Sequence, residues 1–330
     1  MKAVVLFSGG LDSLLSSYIV KKEGIDLEAL YFHNVFSHLS FKDAQKQLSK
    51  FTSQLNIPLK IIDISAPLIE LVKNPKYGYG KNLNPCIDCK ILMFKKAKQY
   101  IEDHGASFIV SGEVLGERPM SQAKDLLNLI EKQSQLKGFI LRPLSAKLLK
   151  STVAEDNGWI KRDHLYAIAG RSRKPQLTLA TQFGIRSYPS PSGGCLLTNP
   201  SFCRRLKDLM RYQPDFEMRD VKLLKLGRHF RISHKAKLIV ARDHREDLEL
   251  DVFFKDGLIK FIPCRIKGPI SLGVGDFDTY SLELATKIVA NYCQRDNTKK
   301  TIKILTNNNQ IKVTIEEPSR IKERIRGLLL

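Results

Sequence analysis

Long apolar runs are missing from this sequence, which contains no stretch of 18 consecutive apolar residues. That absence excludes a membrane-spanning helix, and the apolar N-terminus is too short for a signal peptide. Internal repeats and low-complexity tracts are also missing, which excludes a repeat architecture. We therefore expect a cytoplasmic globular protein with no membrane partner.

Cysteines and acidic residues are scarce. Six cysteines in 330 residues point, in a cytosolic chain, to metal binding, catalysis or burial rather than to a disulfide framework. The 34 acidic residues are outnumbered by 54 basic ones, which gives a formal charge of +20. Such an excess favours a polyanionic partner and is consistent with RNA. The length alone predicts two domains.

The first apolar run, Val4 to Phe7, ends in a turn rich in serine and glycine that reads Ser8-Gly9-Gly10-Leu11-Asp12-Ser13. Apolar residues then recur at helical spacing, which predicts a strand, a tight turn and a helix. Glycine backbone and the free N–H groups of a helix start suit an anion. The turn lacks both the ending of a Walker A loop and the spaced glycines of a dinucleotide fingerprint.

This turn resembles the SGGxDS motif of the PP-loop ATP pyrophosphatases, with Ser8, Gly9, Gly10, Asp12 and Ser13 at the matching positions. The resemblance implies that these residues bind ATP and Mg²⁺, and that ATP is cleaved between its α and β phosphates to adenylylate a substrate. An ordinary glycine-rich turn is the alternative.

Apolar strand-like segments alternate with helical ones through the first half of the chain, at 27–32, 59–64, 108–110 and 138–141. This order predicts an α/β fold with a doubly wound parallel sheet and ligands at the carboxyl ends of its strands. We expect a PP-loop, HUP-like domain over residues 1–185, a connecting segment over 186–220, and a smaller α+β module over 221–330.

The predicted C-terminal module is basic, with 22 Lys and Arg against 13 Asp and Glu from Lys222 to Leu330. Its short alternating segments predict strands at 228–233, 237–242, 252–254 and 259–262, a helix over 281–293 and a hairpin over 299–313. The run from Arg228 to Leu250 resembles the start of an NFACT-R-type RNA-binding domain, which implies that RNA is its partner.

Three cysteines stand in chemically suggestive positions. Cys86 and Cys89 form a CxxC pair at the start of a helix predicted to reach about His104, and Cys195 follows a loop rich in proline, serine and glycine. Such a pair suits zinc, a dithiol–disulfide couple or an iron–sulfur cluster, and two packing cysteines are the alternative. Cys203 is the competitor for a further ligand position.

The segment from Ser111 to Gln122 resembles the TGExxG...SQ segment of the 4-thiouridine synthetases of tRNA, with Ser111 in place of threonine. The resemblance implies that Gly112 and Glu113 line the nucleotide site. Arg142-Pro143-Leu144 resembles the RPL turn of the same group. Three cysteines in such an enzyme imply a [4Fe-4S] cluster with one open iron, held by Cys86, Cys89 and Cys195.

A helical, basic region is predicted between Ser151 and Gly184, and it contains Arg171, Arg173 and Lys174. Basic residues that neutralise phosphates make nucleic-acid binding salt-dependent. We expect these three residues to contact the RNA backbone, with a solvated charged face as the alternative.

These features predict an ATP-dependent tRNA sulfurtransferase of the thiouridine synthetase group. The enzyme adenylylates a uridine carbonyl oxygen, with Asp12 as a catalytic residue, and sulfur then displaces AMP. The catalytic cysteines Cys86, Cys89 and Cys195 hold the cluster, or one carries a persulfide that another resolves. Sulfide or a cysteine desulfurase supplies the sulfur.

Two other functions stay open. One is a PP-loop ligase or amidating enzyme with structural zinc, of the deazaguanine nitrile synthase or tRNA lysidine synthetase type. The other is a non-catalytic RNA-binding protein with a relic nucleotide site. Neither an RNA-binding domain before the PP-loop nor a rhodanese-like domain is recognisable. The uridine position, the carbonyl attacked (2 or 4) and the oligomeric state, a homodimer included, therefore stay open.

Overall fold

The protein is described here by a computed structural model covering residues 1–185, 188, 194–254, 257–294, 299–306, 309–316 and 322–330. Two compact units divide the chain, Met1–Thr198 and Asn199–Leu330. Residues 199–220 are counted with the second unit, and the three-part division at 185 and 220 stays a prediction.

The first unit is built on a parallel sheet of five strands in the order β3-β2-β1-β4-β5. The strands are β1 (Lys2–Leu6), β2 (Asp26–His33), β3 (Leu59–Asp63), β4 (Phe108–Ser111) and β5 (Ile140–Leu141). The helices are α1 (Leu11–Lys22), α2 (Phe41–Gln54), α3 (Ser65–Lys73), α4 (Cys86–His104), α5 (Pro119–Gln122), α6 (Lys124–Gln133), α7 (Val153–Asp156) and α8 (Lys174–Gln182). The predicted α/β fold with a parallel sheet is confirmed.

Strand β1 is central because its apolar side chains are buried on both faces of the sheet, and Ala3, Val4 and Val5 have no exposed surface. It pairs with β2 on one side and β4 on the other, with Leu6 opposite Leu30 and Ser111. The strand order reverses at β1, and in open α/β sheets ligands bind at the carboxyl ends of the strands at such a point. The predicted ligand turn, residues 8–13, begins at this point.

The predicted helical region between Ser151 and Gly184 is mostly irregular. It contains α7, a short 3₁₀ turn at Arg162–His164 and α8. Gly158 and Gly170 adopt positive φ angles of 69° and 84°, which stop a helix. The region is therefore less helical than predicted, and its one helix of more than four residues is α8.

The second unit is an antiparallel sheet of six strands in the order β11-β10-β8-β9-β7-β6. The strands are β6 (Arg228–Arg231), β7 (Ala236–Val240), β8 (Leu258–Cys264), β9 (Ser271–Gly275), β10 (Lys300–Leu305) and β11 (Gln310–Ile315). The helices are α9 (Pro200–Tyr212), α10 (Met218–Leu223), α11 (His244–Phe253), α12 (Thr279–Tyr292) and α13 (Lys322–Leu328).

Two details of this unit differ from the prediction. The segment 252–254, predicted as a strand, falls at the end of α11, which Asp243 caps by accepting a hydrogen bond from Glu246 N at 3.0 Å. Strand β9 was missed because its glycines, Gly273 and Gly275, are typical of a turn.

Among the described residues no helix is long and apolar enough to cross a membrane.

Candidate active site

The turn between β1 and α1 has the geometry of an anion site. Gly9 adopts φ +77°, and Ser13 Oγ donates to Gly10 O at 2.8 Å while Gly10 N donates to Ser8 Oγ at 3.3 Å. These bonds fix the turn and leave the first amides of α1 directed along the helix axis, where they attract negative charge.

Gly112 closes one side of this turn. A Cβ added at Gly112 would lie 2.6 Å from Ser13 N and 2.7 Å from Ser13 Cα. Only glycine therefore allows the end of β4 to contact the start of α1. The structure thus brings together Gly112 and Ser13, two of the residues predicted to bind the nucleotide.

Asp12 lies in the first turn of α1 among groups from the second half of the unit. Burial raises the pKa of its carboxyl, and the nearby Arg173, Gln176 and Arg118 oppose that effect. Asp12 Oδ1 makes no well-formed hydrogen bond among the described residues, although the Gln176 amide lies near the carboxyl. An orphaned, buried carboxylate oxygen suits a cation or a hydrogen-bond donor of a ligand.

Glu113 is the centre of a buried ion network. Lys90 Nζ contacts its Oε1, and Arg142 Nε donates to its Oε2 at 2.9 Å. Arg142 also contacts Glu131 and is only 2% exposed. Burial opposes ionisation, but Lys90 and Arg142 outweigh it and lower the pKa of Glu113 to about 2. Arg142, a surface residue by its type alone, is instead a core ion-pair partner.

Helix α8 packs against α1. The rings of Tyr18 and Phe183 stack at 4.5 Å, and Gly170 N donates to Leu115 O at 2.7 Å just before α8 begins. This placement explains why Arg173 and Gln176 act on Asp12. Of the three predicted RNA-contacting residues, Arg173 is therefore beside the turn, whereas Arg171 and Lys174 are exposed.

The three predicted cysteines approach one another within the first unit. Cys86 and Cys89 occupy the first turn of α4, and Cys195 precedes a 3₁₀ turn at Leu196–Thr198. That turn is tethered to the CxxC segment, since Leu83 N donates to Leu197 O at 3.2 Å and Asn82 Nδ2 to Thr198 O at 2.8 Å. Most of the predicted loop before Cys195, residues 189–193, lies outside the described residues.

The pKa of the Cys89 thiol depends on the other two cysteines. Burial, followed by the charges of Cys195 and Cys86, raises the pKa of Cys89 to about 12. Burial also raises the pKa of Cys86, against the nearby charges of Lys90 and Arg118. Although burial dominates these pKa values, each of the three cysteine residues keeps some surface exposed to solvent. Lys90, which adjoins Cys89, contacts Glu113, and Gly112 lies against Ser13, so the thiols and the nucleotide turn border one site.

Thiolates are the donors that soft metals and iron–sulfur clusters prefer, so the three cysteines suit such a group by chemical type. No three His, Cys, Asp or Glu side chains in the described part of the chain are arranged to hold an ion. Cys203 is buried in α9 of the second unit, and Cys293 is buried whereas Cys264 is partly exposed.

Lys90, Arg118 and Gln176 were missed from the sequence. Lys90 directly follows the CxxC pair, but its partner Glu113 is 23 positions away and only the fold joins them. Gln176 is fully buried, and its amide makes no well-formed hydrogen bond among the described residues. Pro175, in the first turn of α8, is the one sequence signal that could have pointed to Gln176.

Two family models match separate parts of the chain. The model described as Thiamine biosynthesis protein (ThiI) matches residues 1–154. The model described as NFACT protein RNA binding domain matches residues 227–325. Both resemblances drawn from the motifs are confirmed at this level.

Curated relatives cover the chain in part. A tRNA sulfurtransferase of Desulfurococcus amylolyticus is 26% identical over 148 residues, which are 43% of this chain and 29% of that protein. A tRNA-specific 2-thiouridylase MnmA of Listeria welshimeri is 22% identical over 240 residues, 69% of this chain and 61% of that protein. The chain thus spans less than two thirds of the length of either relative.

A solved structure described as a 4-thiouridine synthetase–RNA complex with bound ATP is 20% identical, covering 68% of this chain and 52% of that one, with a TM-score of 0.38. By the two family models, residues 1–154 are similar to ThiI and residues 227–325 to the NFACT RNA-binding domain.

Proposed function

We propose that this protein is an ATP-dependent tRNA sulfurtransferase that replaces a uridine carbonyl oxygen with sulfur. One series of contacts supports this most: Lys90, which adjoins Cys89, contacts Glu113, and the neighbouring Gly112 lies against Ser13 of the nucleotide turn. An adenylate formed at the turn would then lie within reach of a sulfur nucleophile. The similarity of residues 1–154 to the ThiI model agrees with this chemistry.

In the first half-reaction the uridine oxygen attacks the α-phosphorus of ATP and pyrophosphate leaves. The amides at the start of α1 and the turn residues Ser8, Gly9, Gly10 and Ser13 hold the phosphates in line. Asp12, with its orphaned oxygen, would hold Mg²⁺. Arg118 and Arg173 stabilise the charge that develops on the phosphates.

In this proposal Glu113 contacts neither ATP nor Mg²⁺ directly. Its two oxygens are engaged by Lys90 and Arg142, so it fixes Lys90 between the thiols and Gly112 rather than binding metal itself. Lys90 then contributes a positive charge that favours the thiolate form of Cys86.

In the second half-reaction sulfur attacks the activated carbon and AMP leaves. Cys86, Cys89 and Cys195 would hold a [4Fe-4S] cluster, which when bound leaves one iron open to an external sulfur ligand. In the persulfide version, the outer sulfur on one cysteine attacks the carbon. A second cysteine then attacks the inner sulfur, releasing thiouridine and leaving a disulfide that a thiol reductant restores. Sulfide or a cysteine desulfurase supplies the sulfur in the cluster version, whereas the persulfide version requires a cysteine desulfurase, because sulfide forms no persulfide without an oxidant. A cytoplasmic location also belongs to this proposal.

The test separates the two half-reactions. Asp12→Ala should abolish tRNA-dependent ATP–pyrophosphate exchange and thiolation together. Cys195→Ala should keep the exchange and lose the thionucleoside, measured by mass spectrometry of digested tRNA. Loss of both activities in Cys195→Ala would contradict the proposed role of the thiol. A colourless zinc protein after anaerobic purification would contradict the cluster, and unchanged thiouridine in cells lacking the protein would contradict the function.

A further inference from the structure

A cavity of about 280 Å³ lies in the second unit, between α9, α10 and the β6–β7 edge of the sheet. We name it the β6–β7 pocket, and its chemically distinctive lining residues are Tyr212, His229, Arg231 and Lys237. Arg231, Lys237 and His229 belong to the segment that matches the NFACT model, whereas Tyr212 lies on α9 before that segment. The pocket is therefore formed jointly by α9 and the segment that matches the NFACT model.

Two cations of its wall, Arg231 and Lys237, share the buried carboxylate of Asp208, whereas the other charged lining residues, Lys235, Asp220 and Asp276, are exposed or partly exposed. Asp208 accepts hydrogen bonds from Arg231 Nε at 2.8 Å and Nη2 at 2.5 Å, and it lies 3.2 Å from Lys237 Nζ. Two cations thus share one anion. Lys237 is only 5% exposed, and Asp208 is its one ion-pair partner in the described part of the chain.

The cations are held in fixed positions. The Arg231 guanidinium lies 4.4 Å from the centre of the Tyr212 ring, a cation–π geometry that fixes its plane. Lys237 extends from β7, whose residues Ala236–Val240 are all buried. A lysine has three donors, so its ammonium keeps donors beyond the one directed at Asp208.

His229 adds an acceptor. Its Nε2 donates to Leu226 O at 2.7 Å, and its Nδ1 is buried and makes no well-formed hydrogen bond among the described residues, although the backbone of Leu223 also lies near the ring. Burial, together with Lys237 and Arg205, holds the pKa of His229 well below its usual range. The neutral ring therefore presents Nδ1 as an acceptor for an O–H or N–H group.

We propose that the β6–β7 pocket binds a phosphate of RNA through Lys237 and Arg231, with a hydroxyl of the same nucleotide donating to His229 Nδ1. The cluster of Arg231, Lys237 and Asp208 holds two cations and one carboxylate, an arrangement that is costly when buried, and a bound phosphate supplies a second negative charge to that cluster. The volume lies just below the range of about 300–1,000 Å³ for small-molecule sites, so one nucleotide is the unit recognised. The inference rests on the proposed function only in taking tRNA as the polymer.

Two substitutions in the full-length protein should act in opposite directions. Lys237→Met keeps the side-chain volume and leaves Asp208 paired with Arg231. It should weaken tRNA binding about tenfold and lower the log–log salt slope by about one. Asp208→Asn removes the competing carboxylate and should tighten binding about threefold while lowering the melting temperature of the free protein. Fluorescence anisotropy with labelled tRNA at several salt concentrations measures both.

Lys312→Gln is the matched control, because it removes one exposed lysine from β11 at the far edge of the same sheet. It should change affinity less than twofold.

If the ion cluster is purely structural, both pocket variants should be less stable and neither should bind tRNA more tightly. That result would overturn the inference, and so would a Lys237→Met affinity equal to that of Lys312→Gln. If Lys237→Met does not fold, tighter binding by Asp208→Asn supports the pocket and unchanged or weaker binding overturns it. Failure of the wild type to bind tRNA would contradict the proposed function itself.

Discussion

Gly112 joins two segments of backbone that are about a hundred residues apart in the chain. An added Cβ would meet Ser13 N at 2.6 Å and the carbonyl carbon of Asp12 at 2.8 Å. At Gly10, which is in the same turn, the added Cβ would meet only Ser8 Oγ at 3.4 Å. The two glycines are therefore needed for different reasons.

Gly112→Ala should destabilise the first unit by about 2 kcal/mol, because backbone on both sides prevents relief of the clash. Gly10→Ala should cost about 1 kcal/mol or less, since its φ of −74° suits any residue. Instead it should weaken ATP binding by crowding the phosphates. Trp159 is the sole tryptophan and lies in the first unit, so urea unfolding followed by its fluorescence measures the difference. Equal stabilities would contradict this account.

Glu113 should make the first unit sensitive to acid. Its pKa of about 2 lies below the ordinary value of 4.5, so the folded state binds this proton more weakly than the unfolded chain. The stabilisation, roughly 3 kcal/mol, is fully present above pH 4.5 and is lost as pH falls toward 2.

Glu113→Gln should therefore lower stability at pH 7 and flatten the decline between about pH 5 and 2, measured by urea unfolding at each pH. Glu70→Gln removes an exposed carboxylate paired with Lys73 and should leave stability at pH 7 nearly unchanged. A Glu113→Gln protein with the wild-type acid profile would show that another group governs it.

At the scale of elements, α8 brings a buried amide to the nucleotide turn. Gln176 is fully buried beside Asp12, and neither polar atom of its side chain makes a well-formed hydrogen bond among the described residues. Such a group is unfavourable for folding unless a ligand satisfies it.

Gln176→Leu should therefore stabilise the free protein by about 1 kcal/mol and slow ATP–pyrophosphate exchange about tenfold. Thr178→Val, at an exposed position of the same helix, is the control and should change neither quantity markedly. A less stable Gln176→Leu protein with unchanged exchange would assign the amide a packing role.

One side-chain donor from the segment before Cys86 helps to hold the 3₁₀ turn after Cys195 in place. Asn82 Nδ2 donates to Thr198 O at 2.8 Å, and Asn82 itself adopts φ +57°, which aspartate also tolerates. Asn82→Asp should displace Cys195 and lower thiolation about tenfold while tRNA-dependent ATP–pyrophosphate exchange persists.

Asn157→Asp is the matched control, because Asn157 Nδ2 donates to Val153 O at 2.9 Å far from the thiols in sequence. Mass spectrometry of tRNA and the exchange assay report the two activities. Equal thiolation in both variants would remove the role assigned to Asn82.

Some of these elements were predictable and others were not. Continuous apolar runs such as Val4 to Phe7 are typical of strands buried on both faces, so the parallel sheet followed from the sequence. The ion network of Glu113 did not, because its partners Lys90 and Arg142 are distant in the chain and only packing joins them. The strand predicted at 252–254 was wrong because β-branched and aromatic residues favour strands, whereas Asp243 starts a helix that extends to Phe253.

At the scale of the whole molecule, a formal charge of +20 should dominate the salt dependence of RNA binding. Each phosphate neutralised adds to the slope of log affinity against log salt. We expect tRNA affinity to fall at least about tenfold between roughly 50 and 200 mM salt, whereas binding of ATP alone changes little. Anisotropy titrations of both ligands test this, and parallel salt dependences would contradict it.

The tether between the 3₁₀ turn and the CxxC segment also has a consequence during synthesis. Cys195 is made 106 residues after Cys89, which at a ribosomal rate of about 5–20 residues per second is roughly 5–20 s. Throughout that interval the nascent chain displays two neighbouring thiols without the third. The order of the cysteines along the chain thus creates a window in which the CxxC pair can be oxidised, and it closes only once residues 195–198 have emerged and docked.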